Sequence, residues 1–258
     1  MRSIPRLVAG IVALSIGTAC GSVESAGSVD LVRYDFDDGL RDDGGALSVA
    51  DASGNRHDAV ARAQNGGDGL LEMVARADGQ ALSFPAPCEE SDPAACPRVI
   101  MEAADTSDLN PAQADFALGF DFLVDSADLD PDSDQNAMQK GNFDDPAQWK
   151  IEIGAEGRVR CVFRFGPDNL VEPIILQSEG AVTDGAWHTV RCERAGGQLS
   201  MAIDGATSSA DIPGGAADFS NDRPLIMGGR DIGVQNDQFH GTIDDAYFEM
   251  GPVSEAAE

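Results

Sequence analysis

Hydrophobic and polar residues alternate with a period of two along most of the chain between Val29 and Met250. Short clusters of glycine, aspartate and asparagine interrupt the alternation, and no long stretch has the 3.6-residue period of an amphipathic helix. Alternation places successive side chains on opposite faces of a strand, and many strands joined by short turns pack as two sheets. The pattern therefore predicts an all-β protein, an antiparallel two-sheet jelly-roll sandwich.

Two hairpins are the clearest local features of this pattern. One spans residues 149–165 with its turn at 155–157, and Cys161 shares a face of the returning strand with large apolar residues. The other spans 187–205 and turns at 196–197, a glycine pair suited to the left-handed backbone of a tight hairpin turn. The opposite face of the first returning strand carries the basic residues Arg158, Arg160 and Arg164.

The first 20 residues are organised as an export signal. Arg2 and Arg6 form a positive start, and the apolar run Leu7–Ile16 is too short to span a bilayer. Small residues then precede Cys20, which resembles a bacterial lipoprotein signal, where this cysteine becomes the diacylated N-terminus and anchors the protein. Ordinary secretion stays the alternative, because Gly17 stands where lipoprotein signals usually have leucine or valine.

These features divide the chain into predicted parts: a signal peptide at 1–19, a tether at 20–28, one globular domain at 29–251 and a disordered tail at 252–258. No other apolar run approaches the roughly 20 residues of a membrane-spanning helix, so we expect only the N-terminal lipid to meet the membrane. The predicted location is the bacterial cell surface or the periplasm, and the oligomeric state stays open.

Acidic residues dominate the charge of the chain, with 45 aspartates and glutamates against 17 lysines and arginines. Removal of the leader takes away two of the arginines and no acid, which brings the net charge near −30. A field of this sign repels phosphate and other polyanions, so we expect no nucleic-acid partner. It also repels anionic polysaccharides unless a divalent cation bridges them. The same field favours solubility and the binding of cations.

Export would place the other four cysteines in an oxidising compartment, where four cysteines allow three disulfide connectivities. Their spacing favours Cys88–Cys96, which closes a short acidic loop. It also favours Cys161–Cys192, which joins two strand-like segments that we expect to be neighbours. Zinc binding is the alternative, although none of these cysteines has the CxxC spacing typical of zinc sites.

A series of short motifs appears in order between Val29 and Met250: YDFDDG at 34–39, DASGNRHDA at 51–59, ALSF at 81–84, QKG at 139–141 followed by Trp149, DGAWHTV at 184–190, LSMAIDG at 199–205 and FHGTIDDAYF at 239–248. Together they resemble the laminin G-like branch of the concanavalin A-like lectins and glucanases. The resemblance implies a jelly roll, and its members include lectins, adhesion modules, glycosidases and lyases. The chain departs from the family in the cysteine loop 88–96 and in an acidic insertion, 125–136.

The resemblance also implies a structural calcium site. Similar domains often place Ca²⁺ beside the aspartate corresponding to Asp244 and an aspartate of the N-terminal FD motif, here Asp37, with Asp38 as a substitute. Asp244 has the same strand parity as Ala246 and Phe248, so we expect it on the apolar face, where a buried carboxylate needs a partner. A hydrogen-bonded aspartate without a metal is the alternative.

The acidic insertion is the other candidate for a cation. Asp128, Asp130 and Asp132 have the spacing of the first EF-hand ligands. However, Ser133 replaces the glycine of the sharp turn, and Gln139 replaces the bidentate glutamate. The pattern is more typical of a solvated acidic loop with weak, charge-driven cation binding.

The sequence lacks the catalytic motifs of related enzymes. The glucanases of this superfamily use an ExDxxE strand with paired carboxylates, and the nearest match, at Glu90, has Ala95 in place of the second glutamate. His57, His188 and His240 stand without a serine elbow or an HExxH helix. We therefore predict no enzymatic activity, and the alternatives are a glycan hydrolase or lyase and a structural or protein-interaction domain.

Aromatic, amide and basic side chains around the first hairpin are candidates for contact with a ligand, because rings stack on sugars and polar groups bind their hydroxyls. Arginines along a strand are also typical of a solvated face that neutralises neighbouring acids. The pattern favours a lipid-anchored, non-catalytic binding or adhesion module for carbohydrate or an envelope polymer. The predicted ligand-binding residues are Lys140, Asn142, Trp149, Arg160 and Arg164.

Overall fold

The computed structural model describes residues 28–42, 44–77, 79–166 and 172–251. The predicted leader, Cys20 and the tail at 252–258 lie outside the described residues. Within them the protein is all-β, with 17 strands in two sheets, and its helical segments are short 3-10 turns. A search of the same residues finds no helix long and apolar enough to cross a membrane.

The strands are numbered in chain order. The first nine are β1 (Val29–Tyr34), β2 (Arg41–Asp42), β3 (Leu47–Val49), β4 (Ala59–Gln64), β5 (Glu72–Arg76), β6 (Gly79–Ser83), β7 (Arg98–Ala103), β8 (Phe116–Asp125) and β9 (Gln135–Lys140). The others are β10 (Ala147–Ile153), β11 (Val159–Phe165), β12 (Ile174–Gln177), β13 (Asp184–Ala195), β14 (Gln198–Ile203), β15 (Ala206–Asp211), β16 (Leu225–Met227) and β17 (Thr242–Met250).

The two sheets are antiparallel throughout. The eight-stranded sheet has the order β15-β14-β13-β8-β17-β6-β5, and β1 also pairs with β17. The nine-stranded sheet has the order β12-β11-β10-β9-β16-β7-β4-β3-β2. Each sheet turns one face to a shared core and the other to solvent, so the predicted jelly-roll sandwich is confirmed.

The inner faces of the two sheets meet in an aromatic cluster. Trp149 of β10 stacks on Phe248 of β17, with ring centroids 4.9 Å apart and 4° between the ring planes. Phe116 of β8 contacts both rings, and Phe163 of β11 contacts Phe116. All four side chains are at most 2% exposed, and burying each contributes about 2 kcal/mol. The cluster therefore joins the sheets and fixes the inner face of their strands.

Both predicted hairpins are confirmed. In the first, β10 and β11 pair with Ile151 opposite Cys161. In the second, β13 and β14 are joined by a two-residue turn at 196–197. Cys161 and its alternate neighbours belong to the core, so Arg160 and Arg164 lie on the outer face of β11, as the alternation predicted.

Both predicted disulfides are confirmed. Cys88–Cys96 closes the cysteine loop with a Cα–Cα distance of 5.7 Å. Cys161–Cys192 has a Cα–Cα distance of 5.8 Å, but it connects β11 and β13, which belong to different sheets. The two strands are therefore neighbours, as expected, but they face each other across the two sheets and are not paired within one sheet. Face-to-face sheets usually lie about 10 Å apart, so the two sheets converge at this side, where the edge strands β12 and β15 also contact each other.

A β-bulge in β17 reverses the predicted orientation of Asp244. The register of β17 against β8 shifts between Asp244 and Tyr247, and Asp245 has a left-handed φ of 47°. The extra residue changes the parity of the strand, so Ile243 and Ala246 both point into the core. Asp244 lies on the outer face instead, and the prediction that it shares the apolar face with Ala246 is wrong.

Arg76 of β5 bridges two carboxylates on this outer face. Its Nη1 donates to Oδ2 of Asp244 at 2.5 Å, and its Nη2 donates to Oδ2 of Asp121 at 2.6 Å. The guanidinium also lies 4.1 Å from the ring centroid of Trp187. Burial raises the pKa of Asp244, and the hydrogen bond from Arg76 opposes this effect. A protein cation therefore stands beside Asp244.

His188 links the beginning of β13 to the turn that follows β14. Its Nδ1 lies 2.6 Å from Oδ2 of Asp204, and its Nε2 lies 3.1 Å from Oδ1 of Asp184. Burial alone would lower the pKa of His188, but the two carboxylates outweigh burial and raise it above the ordinary value. When it is protonated, the imidazole donates to both carboxylates and ties the strand to the turn.

We predict that His188 stabilises the fold most at low pH. Because its folded-state pKa is raised, its contribution is fully present below the unfolded pKa of about 6.5 and is lost as the pH rises through the folded-state pKa. Urea unfolding at about pH 6 and about pH 9 measures this loss, which should be smaller in His188→Gln than in the wild type. The same pH dependence in both proteins would contradict the role of His188.

Candidate functional site

The outer face of the nine-stranded sheet presents a continuous row of side chains from β4 to β12. The strand registers place these residues side by side, and none of them belongs to the core cluster. The row consists of Val60, Glu102, Ile226, Gln139, Lys150, Val162 and Ile175. It combines apolar groups with amide and charged groups on one face of the sheet.

A cleft of about 530 Å³ opens over the middle of this row, and we call it the sheet cleft. Isoleucine and proline side chains give it apolar surface, and arginine and amide side chains surround that surface with hydrogen-bond donors. The sheet cleft is lined by Arg62, Ile100, Glu102, Gln139, Gly141, Asn142, Arg223, Pro224, Ile226, Arg230, Asp231 and Ile232. A few polar groups that converge on apolar surface are the usual composition of a small-ligand site.

Two arginines of the sheet cleft are held by acidic partners and still reach solvent. Arg223 donates from Nε and Nη2 to the two carboxylate oxygens of Asp145, at 2.9 Å each. Arg62 pairs with Glu102 at 3.3 Å. Burial alone would raise the pKa of Asp145, but the hydrogen bonds from Arg223 contribute to a net lowering, so the pair stays charged. The side chains of Arg223 and Arg62 are 49% and 57% exposed, which leaves donors for a ligand.

Two of the predicted ligand-binding residues point inward and cannot contact a ligand. Lys140 and Trp149 lie opposite each other in β9 and β10, and both are 0% exposed. Trp149 is part of the aromatic cluster. The Lys140 ammonium donates to Asp105 at 2.8 Å and to the backbone oxygen of Asn221 at 2.8 Å. Burial lowers the pKa of Lys140, and the contact with Asp105 opposes this effect. Both residues therefore stabilise the fold, which corrects their assignment.

The other three predicted residues lie outside the core cluster. Asn142 lines the sheet cleft. Arg160 is engaged by acidic neighbours, with its Nη1 at 2.9 Å from Oδ2 of Asp134. Arg164 is 3% exposed, and its guanidinium lies 4.1 Å from the ring centroid of Phe143. Only Asn142 is a direct part of the sheet cleft.

Most of the sheet cleft could not be found from the sequence. Arg62, Ile100, Arg223 and Ile226 come from strands and turns far apart in the chain. They meet because β4, β7, β16 and β9 are successive neighbours in the sheet, and the alternation within one strand carries no information about its partner. One usable signal in the sequence was overlooked, which is the aromatic residue Phe143 in an otherwise polar turn. An aromatic side chain at such a position is a candidate for ligand contact, and Phe143 is 64% exposed.

The three predicted calcium ligands do not converge. Asp37 accepts a hydrogen bond from a backbone N–H of β6 at 3.0 Å, and Asp38 pairs with Arg41 at 2.7 Å. Asp244 meets Arg76 instead. Across the described ranges, no three histidine, cysteine, aspartate or glutamate side chains are grouped to hold a metal ion. Because Ca²⁺ takes six to eight oxygen ligands, these residues do not fit a calcium site.

The cysteine loop and the acidic insertion meet at one end of the sandwich. Two clefts of about 770 and 620 Å³ open there, and we call them the rim clefts. Glu90 and His240 line both, with Asp128 in the first and Asp130 in the second. Nδ1 of His240 lies 2.6 Å from the backbone oxygen of Pro85, and burial lowers the pKa of His240, so the ring is neutral. The first rim cleft has four carboxylates and no arginine or lysine, and the second has five carboxylates against two arginines. The sheet cleft has three arginines against two carboxylates, so it is richer in donors.

The chain is similar to several solved structures, and no curated protein matches it in sequence. Domain 4 of AbnA, a GH43 extracellular arabinanase from Geobacillus stearothermophilus solved in complex with arabinotriose, is 12% identical, with a TM-score of 0.59 over 90% of this chain and 96% of that chain. The botulinum neurotoxin serotype D binding domain is 13% identical, with a TM-score of 0.55 over 88% and 48%. The botulinum neurotoxin DC binding domain in complex with SialylT is 11% identical, with a TM-score of 0.54 over 89% and 49%.

Because all three identities are low, these likenesses show the fold alone. The chain spans about half the length of the two neurotoxin binding domains, whereas it matches nearly the whole of the arabinanase domain. In sequence, residues 138–250 match the Laminin G domain family. This range includes the motifs DGAWHTV, LSMAIDG and FHGTIDDAYF. The resemblance to the laminin G-like family that these motifs predicted is therefore confirmed.

Proposed function

We propose that the domain is a non-catalytic module that binds carbohydrate or an envelope polymer, and that the sheet cleft is its binding site. The observation that carries this proposal is the composition of the cleft, in which isoleucines of the outer sheet face lie beside exposed arginines and beside the amides of Gln139 and Asn142. A sugar ring has an apolar face and a rim of hydroxyls, so it complements such a surface.

Two of the structural neighbours support sugar as the ligand. The arabinanase domain was solved with arabinotriose, and one neurotoxin binding domain was solved with SialylT. Because these proteins are only 12% and 11% identical to this chain, their binding residues do not carry over to it. The case for sugar in this protein therefore rests on the side chains of the sheet cleft.

The outer face of the eight-stranded sheet is a poorer candidate, because its polar groups bind one another. Arg191 donates to the hydroxyl of Tyr247 at 3.1 Å and pairs with Glu249 at 2.5 Å. Arg33 lies over the Tyr247 ring, 5.4 Å from its centroid. A ligand on this face would have to break these contacts, whereas the arginines of the sheet cleft keep exposed donors.

We predict that Arg223→Ala weakens glycan binding about tenfold or more, because a charged hydrogen-bond donor is lost from the sheet cleft. A glycan array identifies the ligand, and calorimetric titration of the wild type and the variant measures the affinity. Arg41→Ala is the matched control, since Arg41 also pairs with one aspartate, is 43% exposed and lies outside the cleft. This control should bind as tightly as the wild type.

Three outcomes would contradict this function. If Arg223→Ala and Arg41→Ala bind equally well, the sheet cleft is not the site. If the wild type binds no glycan on the array, carbohydrate is not the ligand, and a structural or protein-interaction role becomes the better explanation. If the bound glycan is shortened during the titration, the module is a glycan hydrolase or lyase.

The proposed module is held at a membrane by a lipid on Cys20. The organisation of the leader supports this, as do the two disulfides, which form in oxidising compartments. We predict that the wild type sediments with membranes and that Cys20→Ser is released or left unprocessed. Fractionation and mass spectrometry of the N-terminus measure both. A wild type found wholly in the soluble fraction would rule out the anchor.

Calcium is not needed in this proposal, because Arg76 already neutralises Asp244. We predict the same unfolding free energy in EDTA and in millimolar calcium. A site at Asp37, Asp38 and Asp244 would instead raise stability by about 2.7 kcal/mol at a hundredfold excess over its Kd. Thermal and urea unfolding distinguish the two results. A calcium-dependent increase that Asp244→Ala abolishes would restore the calcium site.

A further inference from the structure

Arg164 is a buried cation whose two terminal nitrogens have no hydrogen-bond partner among the described residues. It is 3% exposed, and the two nitrogens are Nη1 and Nη2. Its guanidinium lies 4.1 Å from the ring centroid of Phe143. A cation–π contact uses the face of the guanidinium and leaves the N–H groups along its edge unused.

The surroundings of Arg164 differ from those of the other arginines near it. On the same face of β11, Arg160 pairs with Asp134, Glu152 and Glu156. Carboxylates are abundant, with 45 acidic residues against 17 basic ones in the chain. A buried guanidinium that lacks acceptors is energetically costly, and a carboxylate that reached it would remove that cost. Because no acceptor among the described residues reaches Nη1 or Nη2, Arg164 is a local positive site for one anionic group in a chain whose overall field repels polyanions.

Arg164 also lies in line with the sheet cleft. Gly141 lines the cleft, and Gln148 of β10 donates from Nε2 to the backbone oxygen of Gly141 at 3.2 Å. Arg164 of β11 lies directly opposite Gln148. Neighbouring strands are about 4.8 Å apart, so Arg164 stands about two strand spacings from the cleft. An oligosaccharide in the sheet cleft would reach Arg164 with its next unit.

The ring of Phe143 lies over the Arg164 guanidinium. Phe143 is 64% exposed, so few contacts hold it in place and the ring can turn aside. Its free face suits stacking against a sugar ring. The ring and the guanidinium beneath it therefore offer both contacts that an acidic sugar needs.

We propose that Arg164 and Phe143 form a subsite for a carboxylate-bearing sugar, a uronate, at the end of the sheet cleft. This rests on the proposed function, that the sheet cleft binds carbohydrate. The planar carboxylate accepts from Nη1 and Nη2 together, because the guanidinium fork matches its two oxygens. The pyranose ring packs on Phe143. An acidic glycan is thereby distinguished from its neutral counterpart.

Calorimetric titration with matched oligosaccharides tests the subsite. The probes are oligomers of galacturonate, glucuronate and mannuronate, each as the free acid and as the methyl ester. For at least one pair, the wild type should bind the acid about tenfold more tightly than the ester. Arg164→Met, which keeps the apolar stem, should bind both forms about equally. Arg160→Met on the same strand face is the control and should keep the preference for the acid.

The other outcomes separate this subsite from the proposed function. If the wild type binds an acid and its ester equally, the subsite is wrong and the carbohydrate site stands. If it binds sulfated sugars as tightly as uronates, the carboxylate assignment is wrong. If it binds none of these probes and no glycan on the array, the proposed function fails as well. If Arg164→Met does not fold, the neutral variant Arg164→Gln replaces it, and an unchanged preference for the acid in that variant overturns the subsite.

Discussion

The contact between Trp149 and Phe248 is the constraint on which the rest of the structure depends. The two residues come from different sheets, are fully buried and stack 4.9 Å apart. Once Trp149 faces the core, its neighbours Gln148 and Lys150 must face outward, because successive side chains alternate. The same parity in the paired strands aligns Gln139 and Ile226 on the outer face. The core contact therefore determines which side chains can meet a ligand.

This constraint also explains how much of the fold was predictable. Alternation, glycine turns and cysteine spacing are local signals, and they were sufficient for the sandwich, both hairpins and both disulfides. They were insufficient at Asp244, because one extra residue at Asp245 reverses the parity, and a bulge of this kind leaves little trace in the sequence. They were also insufficient to place the two strands that Cys161–Cys192 joins, because alternation does not show that two sheets converge.

The candidate site was less predictable for two different reasons. Trp149 was a mistake of interpretation, because its alternation with Ile151 and Ile153 already places it on the inner face. Lys140 was not predictable, because its burial depends on Asp105 and Asn221, which distant loops bring to its ammonium. The sheet cleft depends on the order of strands within the sheet, and this order cannot be predicted from any single segment of the sequence.

Arginines give the two outer faces of this acidic protein different properties. On the eight-stranded sheet, Arg76 bridges Asp121 and Asp244, and Arg191 bridges Tyr247 and Glu249, so these donors are used within the protein. On the nine-stranded sheet, the arginines of the sheet cleft remain exposed. With so many acids in the chain, exposed donors beside apolar surface are a local exception to its overall field. That exception is the physical basis for assigning the ligand to this face.

Backbone amide NMR spectra of the domain, recorded during titration with the tightest glycan from an array, test this assignment most directly. The account predicts that the shifted amides cluster on the nine-stranded sheet, around Gln139, Arg223 and Ile226. Amides around Tyr247 on the opposite outer face should not shift. Shifts that centre on Tyr247, or on the rim clefts around His240, would contradict the claim that the sheet cleft is the binding site.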